Sequence, residues 1–150
     1  MKYTYEYPRM LVTVDALVLL KHIDKPYDIL LIKRGHEPYK NKYALPGGFP
    51  EMNELLVDAA ARELYEETGL RNIELKQLAT FDNVNRDPRG RNISVVYYGF
   101  TPLKNSAIKA GDDASEAKWV PINNLPELAF DHRCVVDCLI NRIGKTEIIF

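Results

Sequence analysis

Apolar and β-branched residues fill Leu11 to Leu20 (LVTVDALVLL) and return at Asp28 to Lys33 (DILLIK), with Asp24-Lys25-Pro26 between them. Asp and Pro are turn formers, so the arrangement predicts a β-hairpin. Ala44 to Phe49 (ALPGGF) follows as a short extended piece broken by Pro46 and the Gly47-Gly48 pair. Helical periodicity then takes over. On a helix turning about 100° per residue, Val57, Ala60, Ala61, Leu64 and Thr68 fall on one stripe suited to packing on a sheet. Asn53 is placed to cap this helix, Glu54 lies at the positive end of its dipole and Gly69 is placed to stop it, which predicts a helix over Glu54 to Thr68. Further strands are expected at Glu74 to Phe81, Ile93 to Phe100 and Glu116 to Pro121. A last helix is expected from Asp131 to Ile143 and a closing edge strand at Thr146 to Phe150. The sum is an α+β fold with a mixed sheet and few helices.

Composition narrows the setting. The 150 residues show no repeat or long linker and are read as one domain, residues 1–150. With 20 Lys+Arg against 21 Asp+Glu, the chain lacks the global excess of positive charge that nucleic-acid or membrane-surface partners require, and neither is expected. The longest apolar run, Ala16 to Leu20, is too short to span a bilayer, and the N-terminus has no apolar signal core. Cys134 and Cys138 lie four apart on the last helix, badly placed to pair, and are expected as reduced thiols packed in the core. A cytoplasmic location follows as the expectation.

Charge is less even locally. Between Glu51 and Glu67 stand six acids and one base, Arg62, a net of −5 in seventeen residues. Glu63, Glu66 and Glu67 cluster beside the packing stripe, where like charges at this spacing repel. A solvated acidic face is the plain reading of such a run. A hard divalent cation, Mg2+ or Mn2+, would draw the same oxygens together and remove the repulsion.

The full segment is Gly48, five residues, Glu54, seven residues, then Arg62-Glu63-Leu64-Tyr65-Glu66-Glu67-Thr68-Gly69-Leu70. It resembles the Nudix hydrolase signature at every defined position, and the surrounding order of elements is similar to the Nudix α/β/α sandwich with a mixed central sheet. Asn53 and Pro50 stand where many members have Gly and an aliphatic residue, outside the defined positions. The resemblance implies metal-dependent hydrolysis of a nucleoside diphosphate linked to another moiety, with Mg2+ (or Mn2+) as cofactor. It implies Glu63 and Glu67 as principal metal ligands, Glu66 as a further ligand or water-mediated contact, and the Gly47 carbonyl as a backbone ligand. Arg62 would orient the carboxylates, and Glu51 and Glu54 would serve a second metal or the loop. The general base is sought in a distant acidic loop, with Glu116 first and Asp112 or Asp113 next. The alternative is that those two aspartates only solvate a turn after Gly111.

Arg86-Asp87-Pro88-Arg89-Gly90-Arg91, the strand after it, and Phe130-Asp131-His132 resemble the ADP-ribose pyrophosphatase group, which implies release of AMP and ribose 5-phosphate. Arg86, Arg89 and Arg91 are the expected substrate-binding residues, for the second phosphate or terminal ribose, the alternative being an exposed basic turn. His132 is expected to reach substrate or to be structural, and Asp131 to be an N-cap. One subgroup's proline about fifteen residues past the box is not matched, the nearest being Pro88. Tyr3, Tyr5 and Tyr7 share one face of an extended segment and would cover the core edge, stack on adenine, or join two copies in a homodimer. The rival activities are hydrolysis of nucleoside triphosphates or other sugar nucleotides. A non-catalytic ADP-ribose sensor is the rival from another class. Such sensors carry a DNA-binding winged helix, for which no room is expected before Phe150, and tend to lose box carboxylates that are all present here.

Overall fold

A computed structural model of the chain describes residues 1–111 and 114–145. The expected strand at Thr146 to Phe150 and the candidate acids Asp112 and Asp113 lie outside the described residues.

Strand β1 (Leu11–Lys21) is buried on both faces from Thr13 to Leu20, which explains its almost unbroken apolar sequence. It runs parallel to β6 (Asn92–Pro102) along its whole length and antiparallel to β2 (Asp28–Arg34) at Leu19↔Ile29 and Leu20↔Asp28. The expected hairpin is present, but it is paired only at its closed end. Beyond it β1 and β2 splay, and the gap takes two short strands: β3 (Tyr43–Ala44) against Ile32 and Lys33, and β4 (Gly47–Gly48) against Val14 and Asp15. β5 (Lys76–Phe81) pairs with β6, and β7 (Ala114–Pro121) covers the other side of β2. Among the described residues the sheet is seven-stranded and mixed, and the architecture is α+β as expected.

Alternation along β1 sends residues to opposite layers. Leu17 and Leu19 pack with Val135, Val136 and Leu139 of helix α2 (His132–Gly144). Ala16 and Val18 pack with Leu64, and Val14 with Ala59 and Ala60, all from helix α1 (Leu56–Thr68). The helices therefore cover the two faces in an α/β/α arrangement. The stripe differs from expectation at one place: Ala59 is buried and Ala61 exposed.

Gly69 ends α1 in the left-handed conformation, φ 74°, and donates its N–H to the Tyr65 carbonyl. Asn53 does not cap the other end. The helix begins at Leu56 because Glu54 is occupied elsewhere, accepting the Glu51 N–H at 2.8 Å and three hydrogen bonds from Arg62. Nor does Asp131 cap α2 with its side chain, which is held by Arg86. Cys134 is exposed and Cys138 only partly buried, correcting the expectation of two core thiols, because the apolar stripe of α2 runs through Val135, Val136 and Leu139 instead. Among the described residues no helix is long and apolar enough to cross a membrane.

Candidate active site

The splay between β1 and β2 opens a cleft of about 350 Å³, within the range of small-molecule sites. Its floor comes from β1 and β2, with Thr13, Asp15, Ile32 and Arg34. One wall is α1 and β4, with Glu63, Glu67, Gly47 and Gly48. The other is the 86–92 segment and the start of α2, with Arg86, Asp87, Arg89, Phe130 and His132.

Gly48 explains why α1 lies so close to the sheet: a Cβ there would sit 2.6 Å from the Glu63 carboxylate. Glu67 accepts the Gly47 N–H at 3.3 Å. Arg62 fans out beneath, donating to Glu54 at 2.6 Å, Glu63 at 3.0 Å, Glu66 at 3.1 Å and the Phe49 carbonyl at 3.1 Å. The Glu54 bond above all raises the Arg62 pKa further, and the same bond lowers that of Glu54. Glu54 thus serves the loop and Arg62, and Glu51 is exposed. The donor set facing the cleft, two carboxylates beside a backbone turn, is hard and oxygen-rich and fits a cation such as Mg2+ or Mn2+.

Across the cleft the polar residues are bound into one network. Asp15 accepts a short hydrogen bond from the Ser94 hydroxyl, and its Oδ1 lies 3.6 Å from His132 Nε2. Burial, the largest influence on Asp15, would raise its pKa, but the His132 ring, the Ser94 hydroxyl and Arg86 together hold it below the ordinary value. Arg86 is buried and grips Asp131 through two bonds, 2.7 and 3.0 Å. Asp87 accepts from Arg89 and from Asn92, which overcome its burial and lower its pKa to about 2. His132 Nδ1 accepts the Leu45 N–H at 3.0 Å, which places the ring's proton on Nε2, toward Asp15.

The expected site residues therefore divide. Gly47, Glu63, Glu67, Arg86, Arg89 and His132 all line the cleft. Glu66, Arg62, Arg91 and Glu116 do not. Glu66 is turned to Arg62, Arg91 is half-buried and donates to the Asp82 carbonyl at 2.5 Å, and Glu116 accepts the Tyr43 hydroxyl at 3.1 Å on β7. Of the cleft arginines, Arg86 is committed to Asp131, whereas Arg89 stays 41% exposed at its side chain. Sequence reading gave no individual role to Asp15, Arg34, Asp87 or Phe130, although Asp87 and Phe130 stand in the stretches that carry the resemblance. A charge in the middle of an apolar strand was the available signal for Asp15; Arg34 lies in the basic stretch Lys33 to Lys42, which with Arg86 to Arg91 stands against the acidic segment and suits a diphosphate held between them, but nothing singled it out within that stretch.

The Nudix domain model matches residues 11–138, the stretch that builds the sheet, both helix faces and the cleft. The chain belongs to the Nudix family. Within it, the chain is 44% identical over 125 residues to an ADP-ribose pyrophosphatase of Methanocaldococcus jannaschii, covering 83% of this chain and 70% of that protein. It is 38% identical over 146 residues to the ADPR-responsive transcriptional repressor NtrR of Acinetobacter baylyi, covering 93% of this chain and 57% of the repressor. In structure it matches the Nudix domain of Shewanella oneidensis NrtR, solved with ADP ribose, at a TM-score of 0.84 and 31% identity, over 91% of this chain and 90% of that one. As a Nudix protein with the complete signature, the chain is a pyrophosphohydrolase of nucleoside diphosphate-linked compounds.

Proposed function

We propose that residues 1–150 act as one Nudix domain that hydrolyses ADP-ribose to AMP and ribose 5-phosphate with Mg2+ or Mn2+ as cofactor. The observation that carries this reading is the meeting, in one cleft, of the Glu63 and Glu67 carboxylates and the Arg34 and Arg89 guanidiniums. A diphosphate is repelled by the carboxylates alone and attracted by the guanidiniums, so the cleft accepts it best with cations on the carboxylates. Glu63 and Glu67, with the Gly47 carbonyl, would hold the cation, and Glu66, turned to Arg62 outside the cleft, would reach it through water. Bound there it supplies Lewis-acid polarisation of a phosphoryl oxygen and a lower pKa for water. Arg62 holds Glu63 in place, and the buried Arg86–Asp131 pair fixes the start of α2 beside the cleft. The base is sought in the segment that contains Glu116, whose Gly111 N–H donates to the Glu67 carbonyl at 2.9 Å. Cytoplasmic action and a homodimer joined through the exposed N-terminal residues, where Tyr3 and Tyr5 stack at 6.3 Å, belong to the same reading.

Turnover of a panel of ADP-ribose, NADH and 8-oxo-dGTP, read as AMP or nucleotide release with Mg2+, tests the substrate. ADP-ribose is expected to show the highest kcat/KM; equal or faster turnover of either rival removes the assignment. Glu67→Gln is expected to lower kcat about 100-fold, as the loss of a metal ligand should. Likeness to the NrtR domain favours a second reading, an ADP-ribose sensor, which requires binding of ADP-ribose with no release of AMP.

A further inference from the structure

Helix α1 carries Glu66 and Glu67 in its last turn and no basic residue there. This is the negative end of the helix dipole, where further negative charge is unfavourable. The carbonyls of Glu66, Glu67 and Thr68 also have no N–H ahead of them in the helix, because Gly69 turns the chain away and the Leu70 N–H goes to the Thr68 hydroxyl at 3.2 Å. A turn so placed frays unless something else holds it. Yet the same turn carries the carboxylate that accepts the Gly47 N–H and lines the cleft.

The hold comes from segment 106–111, which precedes β7 and crosses the end of the helix. Lys109 N–H donates to the Thr68 carbonyl at 2.8 Å, and Gly111 N–H to the Glu67 carbonyl at 2.9 Å. Gly111 also lies flat on the Glu66 carbonyl: a Cβ built on it would overlap that oxygen, 2.7 Å from the carbonyl carbon and 3.1 Å from the Glu67 Cα. These are backbone atoms of a packed helix and cannot swing aside. The φ of Gly111 lies outside the left-handed region, so space rather than conformational freedom requires glycine. The segment is itself pinned, by the Trp119 Nε1 bond to the Ser106 carbonyl at 2.9 Å and by Ile108 packed on the cluster that contains Leu64 and Leu70.

We propose that segment 106–111 is a splint for the Glu67 carboxylate, with the Lys109 and Gly111 N–H groups as its positioning groups and Gly111 as the position where no side chain fits. Two N–H dipoles aimed at the end of α1 offset the negative charge gathered there. The carboxylate is therefore held toward Gly47 before any cation arrives, and ordering the turn takes nothing from the binding of the ion. The splint rests on the reading of Glu67 as a cation ligand.

Mn2+ alone, titrated into substrate-free protein and followed by its electron paramagnetic resonance signal, tests it. Gly111→Ala is expected to weaken Mn2+ binding about tenfold, the effect of losing a group that orients a ligand. Amide hydrogen exchange at Gly69, whose N–H closes the last turn on the Tyr65 carbonyl, should quicken about tenfold in the same variant. In turnover kcat should fall at least about tenfold and KM for the nucleotide change less than about threefold. Added to Glu67→Gln, Gly111→Ala should weaken Mn2+ by no more than about twofold, because it acts through that carboxylate. Ile108→Ala loosens the segment at its apolar anchor and should shift Mn2+ affinity about threefold in the same direction, which decides the matter if Gly111→Ala does not fold. A Gly111 that merely supports the fold would lower the melting temperature and leave Mn2+ affinity unchanged, and that result overturns the splint, as would a full further loss in the double variant. Should Glu67→Gln bind Mn2+ as the wild type does, the ligand reading falls by itself, while faster exchange at Gly69 in Gly111→Ala still upholds the splint of the helix end. The two failures are thereby distinguishable.

Discussion

Gly48→Ala tests the site through a single methyl group. Gly48 pairs with Val14 in β4 and faces α1, and its φ lies outside the left-handed region, so alanine's backbone fits. The obstacle is Glu63: the new Cβ would lie 2.6 Å from its Cδ and Oε1 and 2.9 Å from Oε2. Ordinary contact begins near 3.4 Å, so the carboxylate must retreat by about 0.8 Å. It is the end of a flexible side chain and can move, which costs the 3.0 Å bond from Arg62. That loss is worth about 0.5–1 kcal/mol at this exposure, and the smaller entropy of the unfolded alanine chain offsets about 0.4–1 kcal/mol of it. Stability should change by less than about 1 kcal/mol, a melting shift of no more than about 4 °C for a chain of this size. Catalysis is far more sensitive, since displacement of a catalytic group by about 1 Å costs on the order of 100-fold. Melting curves and Mg2+-dependent kcat on the same preparation separate the two. Activity within threefold of wild type would refute the ligand role given to Glu63, and a fall in melting temperature above about 10 °C would refute the argument that its side chain simply yields.

The fold and the network around Asp87 allow two further checks. Leu31 is fully buried among Leu17, Leu19 and α2, so Leu31→Ala should lose about 3 kcal/mol, read from urea unfolding, and a loss below about 1 kcal/mol would show that the layer repacks. Asp87 has a folded pKa of about 2 against an ordinary 3.8, so its contribution, up to about 2 kcal/mol, is fully present above pH 3.8 and lost as the pH falls through about 2. Asp87→Asn should remove that part of the acid-dependent loss of stability, and an unchanged acid profile would count against the Arg89 and Asn92 bonds as its cause.

The layers were legible because they follow from periodicity. Leu17 and Leu19 against Ala16 and Val18 is simple alternation, and the stripe ending in Leu64 and Thr68 is simple helical spacing, so nothing distant in the chain was needed to place them. The errors fall where a side chain had two partners to choose between. Asn53 looked like the cap of α1, but a glutamate bound to Arg62 decides where the helix begins, and that bond closes over eight residues. Asp131 does stand at the N-cap of α2, but a buried guanidinium forty-five residues earlier takes both its side-chain oxygens.

The same rule governs the site. Its carboxylate wall is local: Glu63 and Glu67 are one helical turn apart, and a motif records them. Its cationic wall is assembled from the end of β2, the 86–92 segment and the residue before α2, and no spacing in the sequence links Arg34 to Arg89 or either to Phe130. Arg86, Arg89 and Arg91 looked equivalent as a basic run, yet one is buried in the cleft and paired to Asp131, one is paired to Asp87 with its side chain still exposed to the cleft, and one is bonded to the Asp82 carbonyl outside it. On the proposed reading the box encodes the cation side, where the chemistry is shared across the family. The substrate side depends on contacts between segments far apart in the chain, and discrimination among diphosphates must be set there.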